Sequence, residues 1–140
     1  MDALSAARSE GLDQVIYIGR RLPLNWLSTP AEDLIYLTAV EKEPINFDGN
    51  AREAAERFHE NANVAATIAI AGFGFDETTG TLIADPSVKG NTRHFEANGG
   101  FGEMSIRIVG KPLPDNPKSS ALTALSAIRA IRNRIRHVKM

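Results

Sequence analysis

The stretch Asn61-Ala62-Asn63-Val64-Ala65-Ala66-Thr67-Ile68-Ala69-Ile70-Ala71-Gly72 is apolar on every side once past its two asparagines, and Val64 to Phe73 carry no charge. That pattern predicts a helix enclosed by the rest of the fold. Asparagine is among the best N-caps, because its side-chain oxygen accepts a free N–H of the first turn. The start of such a helix is also a small positive electrode, suited to a carboxylate or a phosphate. Capping is the plainer role for Asn61 and Asn63, and an anion contact is the functional one.

The other elements follow from periodicity. Asp2 to Arg8 is helix-like, with Leu4 and Ala7 on one side and Gly11 placed to end it. No residue caps or covers its start, which leads us to expect more chain upstream. Val15-Ile16-Tyr17-Ile18 is β-branched and aromatic and reads as a strand; Arg20-Arg21 at its end reads as solvated. Ser28-Thr29-Pro30-Ala31-Glu32 resembles a helix start with proline first, predicting a short helix from Ala31 to Leu37. Ile45 to Asp48 alternates and stops at Gly49-Asn50, predicting a strand and a turn. Ala51 to His59 has Ala54, Ala55 and Phe58 at helical spacing.

After Phe75 the pattern turns to alternation. Thr81 to Ala84 predicts a strand that stops at Asp85-Pro86. Thr92 to Ala97 and Glu103 to Val109 predict a hairpin across Asn98-Gly99-Gly100, with Met104, Ile106 and Ile108 on the core side. Asp115-Asn116-Pro117-Lys118-Ser119-Ser120 predicts a loop ending in a serine cap, followed by a helix to about His137 with Leu122, Leu125, Ile128, Ile131 and Ile135 on one stripe. The basic residues Arg132, Arg134, Arg136 and Lys139 of its last turns suit the negative helix end better than nucleic acid.

Composition narrows the possibilities. A chain of 140 residues with 43% hydrophobic content makes one domain with a real core. The absence of cysteine excludes disulfides and thiolate metal sites, and a net charge of −1 argues against nucleic acid as a partner. No apolar run approaches 20 residues and no signal-peptide layout opens the chain, so a cytoplasmic protein is expected, with no membrane partner. His59, His94 and His137 lack metal-ligand spacing, so no metal is expected. Gly72-Phe73-Gly74 follows a helix rather than opening one, and so fails as a dinucleotide fingerprint. These residues predict a single α+β domain over 1–140: a mixed, largely antiparallel sheet of about four to five strands with helices packed on one face. Helix starts at Asn63 and Ser119 would favour anions.

Four ordered segments carry a family resemblance: Asn61-Ala62-Asn63-Val64-Ala65-Ala66-Thr67, Leu82-Ile83-Ala84-Asp85-Pro86, Gly100-Phe101-Gly102, and Pro112-Leu113-Pro114-Asp115-Asn116-Pro117-Lys118-Ser119-Ser120-Ala121-Leu122. In order and spacing they resemble the C-terminal domain of NAD-dependent L-aspartate dehydrogenases, and the likeness covers nearly the whole chain. The resemblance implies a two-domain enzyme, in which a Rossmann half binds NAD or NADP and this part supplies substrate contacts and a homodimer interface. Such enzymes oxidise L-aspartate to iminoaspartate, which hydrolyses to oxaloacetate and ammonia or feeds NAD biosynthesis. A Rossmann-type partner, in the same chain or a separate one, is implied with it.

Carried over by residue, Asn63, with Asn61 beside it, resembles the cofactor contact near the nicotinamide; Asn91, Lys118 and Ser119 resemble substrate contacts. The family's catalytic histidine stands two residues after the asparagine matched by Asn91. Here that position is Arg93, and the histidine is His94, so these two are the candidate catalytic residues. The resemblance also implies lysine where this chain has Glu60. Strand alternation predicts Arg93 inward with Phe95 and Ala97, and His94 outward with Glu96, unless a bulge intervenes. Arginine keeps its charge near neutral pH and cannot accept a proton, although it can hold a carboxylate. The alternative reading is a non-catalytic paralogue serving as a dimerisation or small-anion-binding module.

Overall fold

The computed structural model describes residues 1–34, 36–39, 41–59, 61–113 and 116–135, with the backbone alone for Thr38, 112–113, 116–120 and Thr123. Glu60, Arg136, His137 and Lys139 therefore lie outside the described residues, as do Pro114 and Asp115. The chain runs α1 (Asp2–Ala7), β1 (Leu12–Arg21), β2 (Ile45–Asn50), α2 (Ala51–Arg57), α3 (Asn63–Ala71), β3 (Thr78–Ala84), β4 (Thr92–Gly99), β5 (Gly102–Val109), β6 (Pro112–Leu113), β7 (Asn116–Ser120) and α4 (Ala121–Ile135). Short 3-10 turns follow α1 and punctuate the segment between β1 and β2.

Five strands form one sheet in the order β2-β3-β1-β4-β5, and β6 pairs with β7 apart from it. Only β1 and β3 run parallel; the other pairs of the sheet are antiparallel, so the sheet is mixed and largely antiparallel as expected. Strand alternation sends Val15, Tyr17 and Gly19 to the same side as Leu82, Ala84, Phe95 and Ala97. There α1, α2 and α3 cover them, with Leu4, Ala54, Phe58, Ala65 and Ile68 in the shared core. Each large side chain fully buried here contributes roughly 1.5–3 kcal/mol relative to exposure. Trp26 joins this core through a 3-10 turn over Pro23–Trp26, stacking edge-on to Phe58 at 6.1 Å between centroids.

Several expectations need correction. Asn50 does not make a turn: β2 runs directly into α2, and the Asn50 side chain accepts from Glu53 N at 2.9 Å as its N-cap. Pro30 does start a helix, with the Thr29 side chain accepting from Ala31 N, but it is a 3-10 turn that ends at Asp33. Neither Asn61 nor Asn63 caps α3; the cap position is Ala62, and Asn63 is already helical. Nor is α3 enclosed. Ala65, Ile68 and Ala69 are buried against the sheet, while Asn63, Thr67 and Ile70 face outward, with Ile70 67% exposed. Small alanines let one side pack closely, and a single helical layer leaves the other side free.

Residues 116–120 form a strand rather than a loop, because their backbone pairs with Pro112 and Leu113. Lys118 and Ser119 thus sit within β7, and the helix start belongs to the residues after Ser120. The α4 stripe of Leu122, Leu125, Ile128, Ile131 and Ile135 is 44–76% exposed, because α4 packs at its start against β7 instead of on the sheet. Helices on one face therefore describes α1 to α3. On β5 the expected core side is only partly realised: Met104 packs against the core, whereas Ile106 is 39% exposed beyond the reach of the helix layer. No described helix is long and apolar enough to cross a membrane.

Candidate active site

The centre of the site is where β1 and β4 pair beneath the helices. Tyr17 sits opposite Phe95, and Gly19 sits opposite Arg93. The register runs without a shift from Gln14–Asn98 to Arg20–Thr92, so β4 has no bulge at Arg93 or His94. Alternation then places Arg93 on the helix-covered side, half-buried, where its charge acts on the buried Tyr17 hydroxyl. Tyr17 is 2% exposed; burial raises its pKa above the usual 10.0, and the charges of Arg93 and Arg21 partly oppose that rise.

Arg21 was expected in solvent, and the structure corrects this. Its guanidinium carbon stands 5.8 Å from the Trp26 ring centroid, and Nη2 donates to the Asn61 carbonyl at 3.5 Å. Arg20 is engaged too, on the opposite side of the sheet, where it bridges Glu43 and Asp85, the latter at 3.1 Å. The Asp85 side chain is only 3% exposed. Its burial alone would raise the carboxyl pKa, but hydrogen bonds from Ser87 N at 2.8 Å, Ser87 Oγ at 2.6 Å and Arg20 outweigh it and hold the pKa below 3.8. Glu43 and Asp85 thus hold Arg20 on the face opposite Arg93.

Near this end of the sheet Trp26 Nε1, Asn61 Nδ2, Asn91 Oδ1 and both side-chain polar atoms of Asn46 are buried without a hydrogen-bond partner among the described residues. Orphaned groups of this kind cost roughly 1–3 kcal/mol each, and a ligand is one way to satisfy them. A small pocket of about 80 Å³ adjoins Asn61, lined also by Ser28, Thr29, Arg57, Phe58 and His59. A larger cleft of about 490 Å³, lined by Arg20, Asp85, Lys89, Thr92 and Arg107, opens on the other face of the sheet. Size favours the larger cleft; of the orphaned groups only Asn61 lines the small pocket, and Arg93 lines neither.

Of the sequence candidates, Arg93 and Asn61 come to this end of the helix-covered side, and Asn91 lies two residues before Arg93 at the mouth of β4. Asn63 is exposed on the first turn of α3, its carbonyl accepting from Thr67 Oγ1 at 2.8 Å. Lys118 and Ser119 are placed by backbone alone, on β7. His94 lies on the opposite face, where Nε2 meets Ser105 Oγ at 2.9 Å and Glu96 Oε1 at 3.3 Å. Both partners share one ring nitrogen, so the trio lacks the two-sided relay of a hydrolase triad. Tyr17, Arg21 and Trp26 escaped sequence reasoning. Only the Tyr17-x-Gly19-x-Arg21 alternation could have hinted that the three share a face.

A family profile described as aspartate dehydrogenase, C-terminal, matches residues 2–134. The chain belongs to this family. It is 51% identical over all 140 residues to the L-aspartate dehydrogenase of Ralstonia pickettii, covering 52% of that protein. It is 49% identical to those of Cupriavidus necator and Acinetobacter baumannii, covering 53% of each. The aspartate dehydrogenase C-terminal domain described here thus spans about half the length of the relatives it matches. The crystal structure of aspartate dehydrogenase from Thermotoga maritima superposes with a TM-score of 0.74 over 99% of this chain and 51% of that one; at 24% identity this likeness speaks to the fold.

Proposed function

We propose that this chain is the substrate-binding half of an NAD(P)-dependent L-aspartate dehydrogenase, acting when a nucleotide-binding half stands against it. The observation that carries the reading is the half-buried Arg93 on the helix-covered side of β4, opposite Gly19, with Asn61 Nδ2 and Asn91 Oδ1 buried at the same end of the sheet and lacking a partner among the described residues. A dicarboxylate amino acid needs cationic partners for its carboxylates and an acceptor for its ammonium. Arg93 supplies the first, and Asn91 Oδ1 the second.

The residues present fit one edge of a nicotinamide. Asn61 Nδ2 has no partner among the described residues, and Asn63 stands exposed two residues on. These residues would hold a nicotinamide there, and its chemistry would be that of a hydride acceptor for the substrate α-carbon. The chain's own part is to orient that carbon, with Arg93 and Arg21 on the carboxylates, Lys118 and Ser119 near the wall, and the α3 layer excluding water. Proton removal from the α-amine is the weak step. Arg93 stands where the resemblance implies a catalytic histidine and cannot take a proton, while His94 faces away.

That weakness supports a second reading, a paralogue that keeps the fold as a dimerisation or anion-binding module. Titrating NAD into the chain joined to a related Rossmann half, with and without L-aspartate, separates the two. Cofactor and substrate that tighten each other's binding support the dehydrogenase. A joined protein that binds dicarboxylate without any NAD response supports the module.

A further inference from the structure

We infer that two copies of this chain join edge to edge through β5, antiparallel about a two-fold axis at Ser105, so that their two sheets run on as one. The inference concerns the surface between copies and does not rest on the dehydrogenase reading. β5 stands at one end of the strand order, and its ladder partner among the described residues is β4. Six of its eight residues are exposed, and the other two, Met104 and Ile108, are half-buried. Such an edge offers a row of free N–H and C=O groups to another strand.

The two ends of the sheet differ in how they meet that hazard. At the far end Pro44 stands directly before β2, and the β2–β3 register shifts between Ile45 and Phe47. A proline and an irregular register both discourage pairing at an edge. β5 contains no proline, and its register with β4 runs unbroken from Thr92–Val109 to Gly99–Gly102. It is the end of the sheet left open to a further strand.

Side chains then select the register. A two-fold axis perpendicular to the sheet keeps like faces together, so odd residues of one β5 meet odd residues of the other. On the open face β5 carries Glu103, Ser105 and Arg107, across from Asn98, Glu96 and His94 of β4. Neither Glu103 nor Arg107 makes an ion pair among the described residues. With the axis at Ser105, Glu103 of each copy lies opposite Arg107 of the other, and the ladder spans Gly102 to Ile108. An axis at Glu103 or at Arg107 sets like charges against each other, and one at Met104 or Ile106 gives neither charge its opposite. On the helix-covered face the Ser105 axis puts Ile106 opposite Met104 of the second copy. That contact covers a side chain that the helix layer leaves 39% exposed.

Sedimentation of the chain across micromolar concentrations reads the dimer. Arg107→Glu makes two carboxylate pairs where two ion pairs stood, and Glu103→Arg makes two guanidinium pairs; each should weaken the dimer at least about tenfold. The two exchanges together restore opposite charges and should return the affinity to within about threefold of the unsubstituted chain. The chain has no cysteine, so one introduced thiol reports the contact cleanly. Residues directly opposite across an antiparallel pair have Cα atoms about 4.5–5.5 Å apart, within disulfide range. Ser105→Cys should therefore give a disulfide-linked dimer on mild oxidation, whereas Thr79→Cys, exposed on the same face in β3, should not.

A monomer at every concentration, or a dimer indifferent to Arg107→Glu, would overturn the inference. So would an unlinked Ser105→Cys dimer beside a linked Thr79→Cys one, which would mean sheets stacked face to face. Should a charge variant fail to fold, the Ser105→Cys link decides alone: its formation upholds the edge pairing and its absence sinks it. None of these readouts involves NAD or L-aspartate, so the dehydrogenase reading stands or falls apart from them.

Discussion

Exchanging the side chain at position 93 probes the chemistry most sharply. With a related Rossmann half fused before Asp2, Arg93→His would place an imidazole on the helix-covered side opposite Gly19, beside the Tyr17 hydroxyl. A positioned general base contributes typically 10²–10⁴-fold, or about 3–5 kcal/mol of barrier, so kcat should rise on the order of 100-fold or more. The same change removes one carboxylate contact, and KM for L-aspartate should rise about tenfold. The net gain in kcat/KM is then about tenfold at the lower bound of the base contribution. His94→Ala should change kcat little, because its ring is tied to Ser105 and Glu96 on the far face. Steady-state rates of NAD reduction across a range of L-aspartate concentrations measure all of this. If His94→Ala abolished activity while Arg93→His gave no gain, His94 would be the working base and the strand-parity reasoning would fail.

Asp85→Asn removes the charge that Arg20 and Ser87 hold, and should cost roughly 1.5–3 kcal/mol in urea unfolding at neutral pH. Because the folded pKa lies below 3.8, the stabilisation is present above that value and is lost as pH falls through the folded pKa; the Asn variant should show a flatter acid limb, and identical acid limbs would refute the assignment. Asn50→Ala removes the α2 cap and should cost about 1 kcal/mol by the same assay; no change would mean the cap contributes nothing. The exposed α4 stripe and the sheet face left bare by α1 to α3 lead us to expect a dimer or larger species in light scattering at micromolar concentration, and a clean 15.2 kDa monomer would count against it.

What could be read in the sequence was local. Leu4 and Ala7, Ala54 and Phe58, and the Asn98-Gly99-Gly100 hairpin announce themselves because their partners lie within a few residues. Asn50 was misread because an asparagine after glycine looks the same before a turn as before a helix. Residues 116–120 have turn composition, and only pairing with Pro112 and Leu113 makes them a strand. Arg20 and Arg21 looked solvated because their partners are distant in sequence: Glu43 is 23 residues away from Arg20, Asp85 is 65 away, and Asn61 is 40 from Arg21. The site followed the same rule. Strand parity located Arg93 and His94 correctly, while Tyr17, Gly19 and Trp26 became visible only when β1 lay beside β4 and beneath the helices.

The central claim is that this domain handles L-aspartate for oxidation and needs a nucleotide-binding half to do so. The direct measurement is the absorbance of reduced nicotinamide after adding NAD or NADP and L-aspartate to the chain alone and to its fusion with a related Rossmann half. We expect none from the chain alone, where no pyrophosphate-binding turn positions the hydride acceptor, and slow, aspartate-dependent formation from the fusion. Clear turnover by the chain alone, or a folded fusion that binds NAD yet forms no reduced cofactor even with Arg93→His, would contradict the account.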